Sequence, residues 1–243
     1  MNDRAVQDKI IRYLADATAR AAVATDIPIE NGEKPKTERF ARFLARRYYR
    51  DRLARSFRYS RGFRTSTGRV AEQVIDAPDF GEFLLECVLG SLPGAERVAE
   101  MARHHLMGAA APGPWWSELI EYECAYFLQA ATSQREESWG LPAPGLSGIC
   151  RRFGWGLPEM LRALRTGQPV NDSFRRECIL LFSRTHAGRI YVVEGEPQIE
   201  KVFRATDGHR TPAEIAAFAN LSLAQVHANL SSLAAIGAVQ FPG

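Results

Sequence analysis

CILLFSR (residues 178–184) and RIYVVE (residues 189–194) decide how the rest of the chain reads. Both runs are rich in β-branched and aromatic side chains, which suit a pleated, half-buried surface, and the turn between them carries Gly188. The pair predicts a β-hairpin. Pro197 then stands where a first helical turn tolerates it, ahead of Ile199, Val202 and Phe203 at helical spacing, and Asp207 and Gly208 stop that helix.

Two capping boxes follow. Thr211, Pro212 and Glu214 supply an N-cap hydroxyl, a proline at N1 and a carboxylate at N3 that reaches back to the cap amide. Ser222 and Gln225 repeat the device, with Leu221 and Val226 placed as a hydrophobic staple. The final helix carries Leu223, Val226, Leu230, Leu233 and Ile236 along one face and ends at Gly237. A hairpin followed by three short helices is a small winged-helix-like module. Such a module reads DNA with its last helix or holds a peptide against its strand edge. From Ser222 to Gly243 there is no Lys or Arg, and residues 178–243 hold five Lys/Arg against five Asp/Glu. A recognition helix needs cations for phosphates and long polar side chains for bases. Ala224, His227, Ala228, Ser231 and Ala235 offer a shallow groove instead, so DNA is disfavoured.

With 243 residues, 46% of them hydrophobic, the chain is long enough for two domains with a sizeable core. Its start lacks the apolar run of a signal peptide and no stretch is apolar for long enough to cross a bilayer. Cys87, Cys124, Cys150 and Cys178 are widely spaced with no CxxC, which reads as buried thiols in a cytoplasmic protein.

Upstream, residues 4–24 read as a helix and residues 27–35 as a loop. Residues 36–69 contain twelve Lys/Arg against two Asp/Glu, a net charge of about +10. As a helix this stretch places Phe40, Phe43, Leu44 and Tyr48 on one face, with Arg39, Arg42, Arg46 and Arg50 beside them. A solvated basic face on a core helix explains the charge; so does a docking surface for an acidic partner, and nucleic acid is the third reading. Residues 79–92 and 95–107 predict two amphipathic helices separated by Pro93 and Gly94, and a long apolar helix opens at Pro114. Residues 133–158 read as a packed loop containing Trp139, Leu141, Phe153 and Trp155, with a short helix at 157–164 and a domain boundary near residue 170.

Signals for chemistry are poor. His104 and His105 are adjacent, so they lack the HExxH spacing that puts two imidazoles on one helical face, and GxSxG and P-loop patterns do not occur. Glu118, Glu121 and Glu123 are candidates for metal ligands or an acid/base pair, but nothing in the sequence supplies them a partner. Salt bridges are the commoner use of such residues.

The run FARFLARRYYRDRL (40–53), then DFGEFL (79–84), then PWWSELIEYECAY (114–126) resembles the helical partner subunits of multinuclear non-haem iron oxidases, including the small subunit of the methanobactin-biosynthesis oxidase. The C-terminal module resembles the precursor-recognition domain of ribosomally made, post-translationally modified peptide pathways. The resemblance implies an α+β, mostly α chain. A helical domain (1–170) would dock a separate oxidase subunit as a heterodimer, and a winged-helix-like domain (171–243) would bind the leader of a cysteine-containing precursor. Iron would belong to the partner, with no metal, cofactor or catalysis in this chain. On that reading the peptide adds as a strand to Arg189, Ile190, Tyr191, Val192 and Val193, beside a groove containing His227 and Ser231. Docking falls to Arg42, Arg46, Arg50 and Arg52, with Trp115 and Trp116 as aromatic anchors. The alternative is a winged-helix transcriptional regulator.

Overall fold

A computed structural model describes residues 34–132, 141–145, 148–185 and 187–240; the helix expected at residues 4–24 lies outside them. The chain is mixed α/β, mostly helical, with a small antiparallel sheet. The helical layer comprises α1 (Lys34–Ser56), α2 (Arg58–Arg61), α3 (Arg64–Thr67), a 3-10 turn (Ala71–Asp76), α4 (Pro78–Glu86), α5 (Leu92–Met107) and α6 (Trp116–Ala131). Then come β1 (Ala143–Pro144), β2 (Ile149–Trp155), α7 (Leu157–Arg165), a second 3-10 turn (Asp172–Phe174), β3 (Arg175–Arg184) and β4 (Ile190–Gly195). The last elements are α8 (Pro197–Ala205), α9 (Pro212–Ala219), α10 (Leu223–Ala235) and β5 (Val239–Gln240).

In α1 the buried face is Ala41, Ala45, Tyr49 and Leu53, four residues apart, and it packs on α6. This corrects the face read from the sequence: Phe40 and Phe43 are 48% and 56% exposed and stack on each other at 6.4 Å. Small alanines let two helices approach closely, so they mark the contact face although they are weak hydrophobic signals. Pro93 and Gly94 do not separate helices either. They sit in the first turn of α5, where Ser91 caps the helix by accepting from the Gly94 N–H at 3.2 Å.

Three strands form one sheet in the order β2-β3-β4, both pairings antiparallel, while β1 pairs with β5 in a separate two-stranded ladder. The hairpin β3–β4 matches the sequence expectation, whereas β2 forms where the sequence predicts a packed loop. The boundary expected near residue 170 falls between β2 and β3, so the sheet draws strands from both sides of it. β3 is buried from Cys178 to Ser183 because both its faces are covered. Cys178, Leu180 and Phe182 join Phe153 and Trp155 in the large aromatic core with Tyr49, Phe57, Trp116 and Phe127. On the opposite face Leu181, with Cys150 and Val193 beside it, packs on Val202, Ile215, Val226, Leu230 and Leu233 from the last three helices.

Both capping boxes form. Thr211 Oγ1 accepts from the Glu214 N–H at 3.3 Å while Glu214 Oε2 accepts from the Thr211 N–H at 2.8 Å, and Ser222 and Gln225 do the same at 3.3 and 2.9 Å. Asn220 turns the chain between α9 and α10 with φ of 54°, the left-handed conformation Asn tolerates better than most residues. Leu223, expected on the buried face of α10, is instead 48% exposed. The end of α10 is pinned to the sheet, where Ser183 Oγ donates to the Ile236 carbonyl at 2.7 Å. Gly237 follows with φ of 75°, and a Cβ there would meet the Arg184 carbonyl oxygen at 2.6 Å, so only glycine fits.

Candidate functional site

The sheet has two flanking strands, and they are treated differently. At β2, Glu118 on α6 accepts from the Gly154 and Trp155 N–H groups at 3.0 Å each, across a register shift in the ladder. Arg152 reaches the other way to the buried Glu200 on α8, which also binds Arg204 at 2.9 Å. These guanidiniums, Arg152 foremost, hold the Glu200 carboxyl below its ordinary range.

Among the described residues, β4 has no strand on its far side. The Thr185 N–H donates to the Arg189 carbonyl at 3.0 Å, so residues 185 and 189 are a hydrogen-bonded pair. Alternation along the antiparallel register then turns the backbone groups of Tyr191, Val193 and Gly195 toward β3 and those of Ile190, Val192 and Glu194 outward. Among the described residues, nothing pairs with these outward groups. Tyr191 and Val193 direct their side chains to the face carrying α8–α10, and the Arg189 guanidinium lies over the Tyr191 ring at 5.1 Å. Val192 and Glu194 face the helical layer.

A cavity of about 330 Å³ opens beside β4 on that helical side. Val192, Glu194 and Leu180 form its sheet wall; Arg58, Tyr59 and Tyr122 come from α2 and α6, and Leu161, Arg162 and Arg165 from α7. Arg58 and Arg165 both donate to the Tyr59 hydroxyl, each at 3.1 Å. Glu194 is held by Arg176 at 2.7 Å, and Arg176 also binds Glu159 at 2.8 Å. Beneath the cavity the fully buried Glu123 accepts from the Tyr59 and Ser60 N–H groups at 2.6 and 3.2 Å. Burial pushes its carboxyl up to about 8, against the pull of those hydrogen bonds.

Glu118 and Glu123 therefore secure backbone, and Glu121 lies 3.9 Å from Arg103; the three do not converge. Among the described residues no group of three or more His, Cys, Asp or Glu side chains is disposed to hold a metal, and no helix is long and apolar enough to cross a membrane.

The other expected site residues divide. His227 and Ser231 lie one turn apart on the exposed side of α10, while the face of that helix sharing a cluster with Val193 is Val226, Leu230 and Leu233. The cavity beside β4 is thus on the opposite face of the sheet from the groove expected at α10. Arg42, Arg46 and Arg50 are exposed along α1, Arg50 pairing with Asp76 at 2.6 Å. Arg52 lies over the Tyr48 ring at 3.4 Å and donates to the Ala130 carbonyl at 2.9 Å, capping α6. Trp115 and Trp116 are corrections: 5% and 1% exposed, they pack on Phe63 inside the core, so neither can anchor a partner. Arg58, Tyr59, Arg162 and Arg165 were missed as site residues; the one hint was the basic run that includes Arg58. Compared with known proteins, the chain matches no family model and no curated protein.

Proposed function

We propose that this chain is a peptide-recognition subunit that holds an extended precursor against β4 and presents it to a separate enzyme. The observation that carries the reading is the open margin of β4. The outward N–H and C=O groups of Ile190, Val192 and Glu194 are the complement of an added strand. Main-chain hydrogen bonds supply affinity in such a mode, and alternate side chains supply selectivity. The hairpin followed by α8, α9 and α10 supports a winged-helix-like reading of this part of the chain.

Within that reading the peptide is the leader of a cysteine-containing precursor, and oxidation at its cysteine belongs to an iron-dependent oxidase subunit. Exposed Arg42, Arg46 and Arg50 on α1 are the surface proposed for that subunit. A DNA-binding role is less well supported, since the exposed residues of α10 (Leu223, Ala224, Gln225, His227, Ala228, Ser231, Ser232, Ala235) include no Lys or Arg.

The test is Val192→Pro. Its N–H points away from β3, so proline there removes a donor from the margin and none from the β3–β4 ladder, a position where strands tolerate it. Calorimetric titration with a synthetic cysteine-containing peptide selected for binding to the wild-type chain should show loss of binding in a variant that stays folded by circular dichroism. Undiminished affinity would remove β4 from the binding surface.

A further inference from the structure

Resting on the strand-addition reading, we infer that the cavity beside β4 receives a carboxylate side chain of the added peptide, so that the recognised segment carries Asp or Glu at the residue facing Val192, flanked by apolar residues. Among the described residues the cavity wall carries three guanidiniums, Arg58, Arg162 and Arg165, against the one carboxylate of Glu194. Arg58 and Arg165 converge on the Tyr59 hydroxyl at 3.1 Å each, and neither has a carboxylate within ion-pair distance among the described residues. Among the described residues Arg162 has only Glu159 as an ion-pair partner, at 3.5 Å. The one acid in the wall, Glu194, is already bound by Arg176 at 2.7 Å. Two guanidiniums aimed at one neutral oxygen form a fork whose matching ligand is a carboxylate, with the Tyr59 hydroxyl as an added donor.

The Tyr59 hydroxyl at the centre of the fork is positioned before any ligand arrives. Glu123 holds the Tyr59 and Ser60 amides from below, and the Tyr59 ring meets Tyr122 with centroids 6.5 Å apart. Register supplies the rest. A residue of the added strand opposite Val192 shares its sheet face and points into the cavity, because side chains alternate along both strands. Its two neighbours turn to the other face, beside the half-buried Tyr191 and Val193, which reward apolar groups.

A phage-displayed library of random dodecapeptides, panned against the immobilised full chain, tests this. The wild type should enrich peptides with Asp or Glu at one fixed position between apolar residues. For the strongest of these as a synthetic peptide, Asn or Gln at the acidic position should weaken binding by about tenfold or more, the range of a charge-assisted hydrogen bond. The double variant Arg58→Gln/Arg165→Gln, altered only at exposed side chains and checked for folding by circular dichroism, should show the same loss and no further loss from the neutral peptide. Enrichment without an acidic position, or equal binding by the double variant, overturns the cavity assignment while strand addition stands, provided Val192→Pro still abolishes capture. Capture unchanged by Val192→Pro, or no binder to the wild type, overturns both.

Discussion

β2 and β4 are the two edges of one sheet, and among the described residues only β2 has a carboxylate on its backbone amides, at its Gly154–Trp155 end. β2 has Glu118 closing two of its amides and Arg152 binding Glu200, so its position is set by side chains from α6 and α8 as well as by β3. The polar side-chain tie of β4 among the described residues is Glu194 to Arg176 and on to Glu159. An exposed edge invites unwanted pairing and is usually blunted. Here the margin without carboxylate clamps is also the one beside a cationic cavity. The contrast teaches where this sheet places its carboxylate clamps: at the bulged end of β2 and, among the described residues, not along β4.

Four experiments press on that contrast, in descending order of expected effect. Glu118→Ala leaves the Gly154 and Trp155 amides without their charged acceptor and should cost about 2–3 kcal/mol in urea unfolding. A cost within about 0.5 kcal/mol, the range of ordinary surface substitutions, would mean that β2 is held by its ladder alone. The buried Glu123 beneath the β4 cavity comes next. With its carboxyl raised from the ordinary 4.5 to about 8, the folded state keeps a proton that the unfolded state releases. Its contribution is therefore full below about pH 4.5 and lost progressively as pH rises to about 8. In Glu123→Gln, whose amide oxygen still accepts from the Tyr59 and Ser60 amides, the fall in unfolding free energy between pH 5 and pH 8 should be smaller than in wild type.

Glu200 behaves with the opposite sign. Arg152 and Arg204 depress its carboxyl, so its contribution is present above the unfolded value and lost as pH falls through the folded one. Glu200→Gln should flatten the acid limb of the stability profile and leave the Glu123 region unchanged. A variant that instead alters the profile above pH 6 would break this assignment. The smallest effect on stability is expected from Val192→Pro, less than about 1 kcal/mol, because an edge strand loses no ladder bond there. A drop of several kcal/mol would show that β4 is less of a free margin than its pairing implies.

What could be read from the sequence was local. The hairpin runs and the two capping boxes depend on residues three to ten apart, and they formed where the pattern put them. β2 escaped because ICRRFGW interrupts its alternation with Gly154 and two arginines, and because its partner lies beyond α7. The inward Phe153 and Trp155 were the trace of a period of two. Trp115 and Trp116 were misplaced because a paired tryptophan at a helix start looks the same whether solvent or Phe63 covers it. The cavity was beyond reach for a stronger reason: Tyr59 and Arg165 are 106 positions apart, and only the folded chain brings their polar ends together.

The pairing of Phe153 with Cys178 and of Ile149 with Phe182 also limits how this protein can be divided. A fragment starting at residue 171 would present β3 to water with one whole ladder unmet and with Leu180 and Phe182 stripped of the aromatic layer beneath them. Such a piece bares the long apolar rim of β3 in place of the partly clamped rim of β2, so its expected fate in solution is self-assembly into clumps or fibres rather than a tidy miniature of the parent.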